Sequence, residues 1–438
     1  MAAVHESRSS EPYTAERLQS LVEPARVHRS VYLDPAIFEL EMARIFGRAW
    51  IFVGHDSQVP NAGDFFCTRI GLQAVVMARH SDGKVYVLYN RCAHRGAKVV
   101  NEETGNARHF RCLYHGWAYH TDGRIASVPL PKDYPPSCDP KDPRFGMTRV
   151  PRVESYRGFV FASLAAEGPD LATFLGEARH ALDDVADGSP EGAVEFAGGC
   201  HRYVYPGNWK HQFENLTDTY HTIATHASTV QRDGQQFHRR PGEEGGKATF
   251  YDSEGEPVIL NLGVLTFPNG HGACETMIPE EPSGGDMEEY RALLVKRHGE
   301  ERTREVLRQK YHNLILFPTC DILFAQNAIR VILPLAVDRT EVRIYPMRFK
   351  GAPKGIFESQ IKYVNLTHSA SSFVQSDDLE AFTRVQEGLA SDGNQWNLLA
   401  RGLDTETRSN TGVGYGNRSS EIGQRHQYQA WLAMMCAQ

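Results

Sequence analysis

The sequence predicts an α+β protein with a small antiparallel β domain close to its N-terminus. Between residues 50 and 165 apolar and polar residues tend to alternate, and the pairs Asp82-Gly83 and Asp122-Gly123 mark hairpin turns. The remaining residues mix segments of helical and strand-like composition, without an internal repeat or a low-complexity region. A sheet domain within a mixed chain fits both observations.

The composition is that of an ordinary folded protein. With 438 residues, 41% of them hydrophobic and 23% charged, the chain can bury a large core. Its net charge of −7 gives no sign of a general nucleic-acid role. No segment reaches the ~18 apolar residues of a membrane span, and the first residues lack the apolar stretch of a secretion signal. Eight cysteines are too few for a disulfide framework, so we expect a soluble, cytoplasmic protein without a membrane or nucleic-acid partner.

The first helix is predicted after a dozen residues that we expect to form a mobile tail. Asp34 suits the N-cap of this helix, and Pro35 suits its first position because the proline ring fixes a helical φ. An apolar face then follows with helical spacing, formed by Phe38, Met42, Ile45 and Phe46.

Strands are predicted on both sides of the two Asp-Gly turns, at residues 74–78, 85–88, 117–119 and around 125. The proline-rich residues 129–143 indicate an ordered irregular loop. Further along, residues 208–221 and 287–312 have helical composition. Residues 329–335 and 342–349 have the composition of strands.

Two cysteine–histidine pairs lie in the predicted β domain. Cys92-Ala-His94 is followed, after 17 residues, by Cys112-Leu-Tyr-His115. Two thiolates and two imidazoles can bind zinc, or a [2Fe–2S] cluster with two cysteines on one iron and two histidines on the other. Zinc ligands usually have at least two residues between them, so the spacing of Cys92 and His94 favours a cluster. Zinc and a chance grouping of four core residues remain as alternatives.

The segments NRCAHRG and CLYHGW resemble the Rieske iron–sulfur motif. The resemblance implies that Cys92 and Cys112 bind one iron and that His94 and His115 bind the other. Because imidazole is neutral where thiolate is anionic, this set of ligands raises the reduction potential above that of an all-cysteine cluster.

A second group of metal-binding side chains lies near the middle of the chain. On a helix, Glu214, Asp218 and His221 would share one face, at i, i+4 and i+7. His226 lies five residues beyond His221, so the helix must turn or end between them if both are to bind one metal. Two histidines and one carboxylate form the facial triad of non-haem iron(II), which activates O₂. On spacing alone, two polar surface histidines are the favoured interpretation.

The segment Ser376-Asp377-Asp378-Leu379-Glu380 offers three carboxylates as the third ligand. Helical periodicity puts Asp378 on an apolar face with Phe382, Val385 and Leu389, whereas Asp377 shares its face with Ala381, Arg384 and Gly388. An acid on an apolar face is costly unless it is paired or metal-bound, so Asp378 is the better candidate. A carboxylate that only caps the helix is the alternative.

The pattern GNWK…EN…D-x-YH-x4-H, followed far downstream by an Asp-Asp pair, is similar to the catalytic domain of Rieske non-haem iron aromatic-ring-hydroxylating oxygenases, large (α) subunit. Together with the Rieske motif it covers almost the whole chain. The resemblance implies that His221, His226 and Asp378 bind a mononuclear iron(II), and that Asp218 bridges the two metal centres.

The resemblance also implies the domain organisation. A Rieske [2Fe–2S] domain at residues 50–165 would be inserted near the N-terminus of a helix-grip-like α+β catalytic domain at residues 166–438. Residues 1–49 would form an N-terminal segment that packs on the catalytic domain.

The resemblance further implies the reaction and its partners. The family cis-dihydroxylates an aromatic substrate with O₂, using electrons that come ultimately from NAD(P)H. A separate reductase or ferredoxin must deliver them, since the chain shows no nucleotide-binding glycine motif and no second cluster motif. The α subunits would form a homotrimer, with or without β subunits, in which Asp218 links His221 to the cluster of a neighbouring subunit. Basic residues near the cluster loops could form the face on which the donor docks: Arg91, Arg95, Lys98, Arg108 and Arg111.

The substrate predicted from this resemblance is an aromatic carboxylate, as in the benzoate, terephthalate and cumate types. A carboxylate that enters an apolar pocket needs a cation, and the planar guanidinium of arginine can bind both of its oxygens. Arg330 is the candidate, with a structural salt bridge as its alternative role, and Asn215 and Val374 are candidate pocket residues. Two other functions stay open: a Rieske monooxygenase or demethylase, and a non-catalytic electron-transfer or zinc-binding protein.

Overall fold

The computed structural model describes residues 13–135, 137–140, 142–226, 263–275, 284–417 and 419–437, so the predicted tail of the first dozen residues lies outside the described part. The helices are α1 Ala15–Gln19, α2 Ser30–Leu33, α3 Pro35–Arg44, α4 Leu171–Leu175, α5 Arg179–Asp187, α6 Lys210–Thr217, α7 Thr222–Thr225, α8 Asp286–Arg308, α9 Lys354–His368, α10 Gln375–Leu389 and α11 Ile422–Cys436.

The strands in the first half of the chain are β1 Val22–Glu23, β2 Arg26–His28, β3 Ile51–His55, β4 Asp64–Ile70, β5 Gln73–Arg79, β6 Val85–Tyr89, β7 Thr104–Asn106, β8 His109–Arg111, β9 Ala118–His120, β10 Ile125–Ser127, β11 Arg152–Tyr156, β12 Phe159–Ser163, β13 Val194–Phe196 and β14 His201–Tyr205. Those in the second half are β15 Gly263–Phe267, β16 His271–Glu275, β17 Tyr311–Leu316, β18 Cys320–Leu323, β19 Ala328–Ala336, β20 Arg339–Phe349, β21 Trp396–Leu398, β22 Thr407–Arg408 and β23 Gly414–Asn417.

Three small antiparallel sheets build the β domain, in the orders β6-β5-β4-β7, β10-β9-β8 and β11-β12-β3. The predicted hairpins are present: β5 and β6 pair across the Asp82-Gly83 turn, and β9 and β10 pair across the Asp122-Gly123 turn. Both glycines adopt positive φ, +82° and +92°, which explains why the turns need glycine.

A ten-stranded antiparallel sheet forms the centre of the remaining chain, in the order β13-β20-β19-β18-β17-β16-β15-β23-β22, with β14 also paired to β20. The helix α6 packs on this sheet at β16 and β17, and α10 and α11 pack on α6. Helices against antiparallel sheets confirm the predicted α+β class.

The N-terminal helices contact the start of α6 through a buried carboxylate. The helix α3 begins as predicted, with Asp34 as its N-cap and Pro35 at its first position. Glu41 of α3 accepts hydrogen bonds from Lys210 Nζ at 2.6 Å, Trp209 Nε1 at 2.8 Å and Trp431 Nε1 at 2.7 Å. The pairing compensates for the burial of both charges.

The β domain contacts the large sheet within the same chain. Phe66 packs edge-on against Tyr345, with ring centroids 6.2 Å apart. The Glu103 carboxylate pairs with the guanidinium groups of Arg202 and Arg343. Within the described residues, no helix combines the length and the apolarity needed to cross a membrane.

Three details of the predicted helices were wrong. The helix predicted at 208–221 ends at Thr217, and the helix predicted at 287–312 ends at Arg308, so that His312 lies in β17. On α10, Asp378, Phe382 and Leu389 are buried as predicted, but Val385 is exposed and Gln386 is buried in its place.

Candidate metal centres

Two loops of equal construction carry the cysteine–histidine pairs of the β domain. In the first, the Gly96 N–H donates to the Cys92 carbonyl at 2.9 Å; in the second, the Gly116 N–H donates to the Cys112 carbonyl at 3.0 Å. Both glycines have a left-handed backbone, with φ of +76° and +72°. Each loop therefore turns back at a glycine one or two residues after its histidine, where a residue with a side chain would be strained.

The four side chains lie together at the tips of these loops. Cys92 and Cys112 are free thiols with only 2% exposure, and the rings of His94 and His115 are half-buried with their centroids 4.6 Å apart. Trp117 stacks on His94 at 5.1 Å and holds its plane. Nδ1 of His94 is buried and has no hydrogen-bond partner among the described residues, so it is available to a metal.

This donor set fits an iron–sulfur cluster better than a single zinc ion. Among the described residues, one group of three side chains has metal-binding atoms that all lie within 4.8 Å of one another. That group lies elsewhere in the chain and includes none of Cys92, His94, Cys112 and His115. A single ion needs its ligands at that separation, whereas a [2Fe–2S] cluster spreads four ligands over two irons.

Tyr119 is a further residue of this centre that the sequence interpretation missed. Its oxygen lies 3.0 Å from Cys92 Sγ and accepts a hydrogen bond from the Ala93 N–H. Burial and the neighbouring Cys92 sulfur both raise the pKa of the phenol, which therefore stays protonated and donates to the sulfur. The sequence does not indicate this role, because a buried tyrosine in a strand such as β9 is usually a core residue.

The second group of candidate ligands surrounds the end of α6. The helix stops at Thr217, and Asp218 has an extended backbone with φ −93° and ψ 101°. The chain then turns into α7, which begins after His221 and ends before His226. One short helical turn therefore separates the two histidines, and the helix predicted at 208–221 ends earlier than expected, at Thr217.

Asp378 completes this group from the first turn of α10. Its Oδ1 lies 3.5 Å from His221 Nε2 and 3.3 Å from His226 Nε2. The three atoms lie within 4.8 Å of one another, and Asp378 is only 6% exposed. Two imidazoles and a carboxylate converging from two segments fit the facial set of ligands of non-haem iron(II).

Asn215 and Asp218 lie around His221. The Asn215 Nδ2 is 3.1 Å from Asp378 Oδ1 and 3.2 Å from His221 Nε2. The Asp218 Oδ1 accepts the His221 N–H at 3.2 Å and lies 3.7 Å from His221 Nδ1. Burial lowers the pKa of His221, but the carboxylates of Asp218 and Asp378 outweigh it and raise the pKa overall.

The candidate substrate residues Arg330 and Val374 lie on different elements of the chain. Arg330 lies in β19, is 3% exposed, and has Nε 3.8 Å from Asp321 Oδ1 on the neighbouring strand. Burial raises the pKa of Asp321 to about 6, although Arg330 lowers it. Burial raises the pKa of the Tyr203 phenol, the charge of Arg330 lowers it and that of Asp378 raises it, so both charges lie near this side chain. Val374 precedes α10, and its carbonyl accepts the Asp378 N–H at 3.3 Å.

Comparison with known families decides what this pair of centres is. A model described as the Rieske [2Fe-2S] domain matches residues 49–154, and one described as the ring hydroxylating alpha subunit (catalytic domain) matches residues 193–437, more than half of the chain. The chain belongs to the ring-hydroxylating oxygenase α subunits. Its β domain therefore binds a Rieske [2Fe–2S] cluster, and its catalytic domain binds a mononuclear iron.

Individual relatives of this α subunit agree with the assignment. The chain is 33% identical to the large subunit of anthranilate 1,2-dioxygenase from Acinetobacter baylyi, covering 86% of this chain and 80% of the relative. It is 34% identical to the α subunit of toluate 1,2-dioxygenase from Pseudomonas putida, covering 86% and 81%. A structure of naphthalene 1,2-dioxygenase with bound indole superposes with a TM-score of 0.81, at 26% identity, over 95% of this chain and 94% of that one. The chain is thus the α subunit of a Rieske-type aromatic-ring-hydroxylating dioxygenase.

Proposed function

We propose that this α subunit cis-dihydroxylates an aromatic carboxylate at an iron held by His221, His226 and Asp378. The support is the convergence of those three side chains on one point, with Asn215 beside them. We further propose that Cys92, His94, Cys112 and His115 hold the Rieske cluster, on the support of the two matching loops. When bound, the cluster supplies single electrons and the iron supplies the centre that activates O₂.

The electrons come from a separate reductase or ferredoxin in this proposal. Basic side chains around the cluster loops are all exposed, and opposite charge would speed the encounter with an acidic donor. They are Arg91, Arg95, Lys98, Arg108 and Arg111. Glu102 and Glu103, which are also exposed, reduce the net charge of this face.

Assembly into an α homotrimer, with or without β subunits, belongs to the same proposal. Asp218 hydrogen-bonds neither His94 nor His115 among the described residues of its own chain. Its side chain keeps 27% exposure, and His115 is half-buried, so groups of another copy can reach both. Asp218 would then accept a hydrogen bond from a cluster histidine of the neighbouring subunit.

The substrate class rests on Arg330, the single observation that carries it. Nε of this buried guanidinium has no hydrogen-bond partner among the described residues, and its contact with Asp321 is long, at 3.8 Å. Both carboxylate oxygens of Asp321 also lack a hydrogen bond there, so the pair is not closed as a structural salt bridge normally is. Toluate and anthranilate, the substrates in the names of two relatives, are aromatic carboxylates. Val374, one turn before Asp378, would line the pocket for the ring.

Replacement of the arginine tests this proposal. We expect Arg330→Gln to raise KM for benzoate-type acids about 10- to 150-fold, the worth of a ~1.5–3 kcal/mol charged hydrogen bond. KM for the matching amides or hydrocarbons should stay within about twofold, because no charge is bound there. The measurement is steady-state turnover of paired charged and neutral rings, with the products identified.

Arg348→Gln is the matched control, since Arg348 lies on the neighbouring strand β20 and pairs with Glu195 at an exposed position. It should leave both classes of substrate unchanged. Equal losses on acids and neutral rings in Arg330→Gln would make Arg330 a structural residue. A preference of the unaltered enzyme for neutral rings would overturn the substrate class itself.

A further inference from the structure

His226 lies between two consecutive carboxylates of α10. Its Nε2 is 3.3 Å from Asp378 Oδ1, and its Nδ1 forms a hydrogen bond of 3.4 Å with Asp377 Oδ2. The side chain of His226 is only 5% exposed, so water cannot readily replace either partner. Helical periodicity favours Asp378 over Asp377 as the iron ligand, and the Asp377 carboxylate contacts the other ring nitrogen of His226, Nδ1.

The contact with Asp377 determines where the imidazole carries its proton. A neutral imidazole has one N–H and one lone pair, and an ionised carboxylate can only accept a hydrogen bond. Asp377 therefore favours the proton on Nδ1 and leaves the lone pair of Nε2 directed toward Asp378 and His221. Without it, the Asp378 carboxylate would favour the opposite tautomer, in which Nε2 carries the proton and cannot bind a metal.

The two histidines differ in this respect. Nδ1 of His221 lies 3.7 Å from Asp218 and is buried without a hydrogen bond among the described residues. Nδ1 of His226 has the shorter contact and meets the hydrogen-bond geometry. His226 is therefore the ligand whose tautomer and ring plane the chain fixes before any metal arrives.

We propose that Asp377 is a positioning residue for the mononuclear iron, acting through His226. It accepts the Nδ1 proton, fixes the ring plane and keeps the Nε2 lone pair free, as carboxylates behind metal-binding histidines do. This inference rests on the proposed assignment of His221, His226 and Asp378 as the iron ligands. It adds a fourth side chain, from the residue that directly precedes one of those ligands.

Asp377 also lies in the first turn of α10, where a negative charge stabilises a helix on its own. Two substitutions separate these roles. Asp377→Ala removes both the charge and the acceptor, whereas Asp377→Asn removes the charge and keeps an oxygen that can accept from Nδ1. A role in the helix predicts that both variants behave alike; a role through His226 predicts that asparagine rescues.

The measurement is the affinity of the purified oxygenase for iron(II), after the mononuclear iron has been removed by chelation and with the Rieske absorption intact. Iron(II) is titrated anaerobically against a coloured competing chelator. We expect Asp377→Ala to raise the dissociation constant about 10- to 100-fold. Asp377→Asn should raise it only about 3- to 10-fold, because a neutral acceptor keeps roughly half of the strength of a charged one.

Glu387→Ala, at an exposed position of the same helix, serves as the control and should bind iron(II) as the unaltered protein does. Binding by Asp377→Ala within twofold of the unaltered protein overturns the inference, and so do equal losses in the alanine and asparagine variants. His226→Ala distinguishes a failure of this inference from a failure of the proposed ligand set. If that variant keeps full iron(II) affinity, the proposed ligand set is wrong, whatever Asp377 does.

Discussion

The hydroxyl of Tyr119 affects the reduction potential of the cluster, because it contacts a cysteine ligand. Reduction adds negative charge to the cluster, and a hydrogen bond donated to Cys92 Sγ stabilises that charge. We expect Tyr119→Phe to lower the reduction potential by roughly 40 mV, the equivalent of ~1 kcal/mol for one hydrogen bond in a one-electron couple. Spectroelectrochemical titration of the Rieske absorption measures it.

Tyr86→Phe is the matched control, since that hydroxyl bonds Asp82 at the exposed hairpin turn of the same domain. Its potential should equal that of the unaltered protein. An unchanged potential in Tyr119→Phe would mean that the 3.0 Å contact does not persist once the cysteines bind a cluster.

Single residues can be proposed as ligands from the sequence where chemistry restricts the choice of side chain. Few residue types bind iron, so Cys92, His221 and Asp378 stood out against their neighbours, and the structure brings the last two together. Tyr119 and Asp377 did not stand out, because tyrosines are common in strands and acids are common in helix starts. Their roles follow from contacts with residues distant in sequence.

At the scale of elements, His271 connects three segments that are distant in sequence. At the start of β16, its Nε2–H donates to the Phe174 carbonyl at 2.9 Å, and its Nδ1 accepts the Phe317 N–H at 3.1 Å. Only the neutral imidazole can make both bonds. Burial lowers the pKa of His271 to about 4, from an ordinary value of 6.5.

This pKa predicts how the stability depends on pH. The unfolded chain binds a proton near pH 6.5 and the folded chain only near pH 4, so the stabilisation is complete above pH 6.5 and is lost as the pH falls toward 4. Between pH 7 and pH 5 this residue should account for about 2 kcal/mol of lost unfolding free energy. Urea unfolding at both pH values checks it. His271→Gln should lose about 2 kcal/mol less over that interval, and an equal loss in both proteins would contradict the assignment.

Elements with local signals were predicted correctly, whereas those set by distant contacts were not. The Asp34-Pro35 helix start and the Asp-Gly hairpins depend on a few adjacent residues. The end of α6 at Thr217 has no such signal, because the following residues keep a helical composition. Helices α10 and α11, which are distant in sequence, pack on α6, and the order of the ten-stranded sheet likewise depends on pairings between distant segments.

At the scale of the whole molecule, the β domain is fixed to the catalytic sheet of its own chain. Glu103 lies between Arg202 of β14 and Arg343 of β20, and Arg343 also pairs with Glu341 at 2.6 Å. Networks of this kind hold two domains in one orientation more firmly than isolated surface pairs do. A fixed orientation would let each chain present its cluster loops to a neighbouring copy.

Asp218 is where the proposed contact between copies can be tested. If it couples the two metal centres, Asp218→Asn should keep the Rieske spectrum and most of the mononuclear iron(II), because asparagine preserves the shape of the side chain. Reoxidation of the reduced cluster during turnover should slow at least ~100-fold, because the amide removes the charge and one acceptor oxygen. Residues that hydrogen-bond metal ligands typically change affinity or activity by ~10–100-fold, so this effect would reach or exceed the upper limit. Rapid-mixing absorption of the prereduced enzyme with O₂ and substrate measures this rate, and iron analysis confirms that both centres are loaded.

Near-normal reoxidation would show that electrons reach the iron without this carboxylate. A slow rate accompanied by loss of iron would instead place Asp218 among the residues that only support His221.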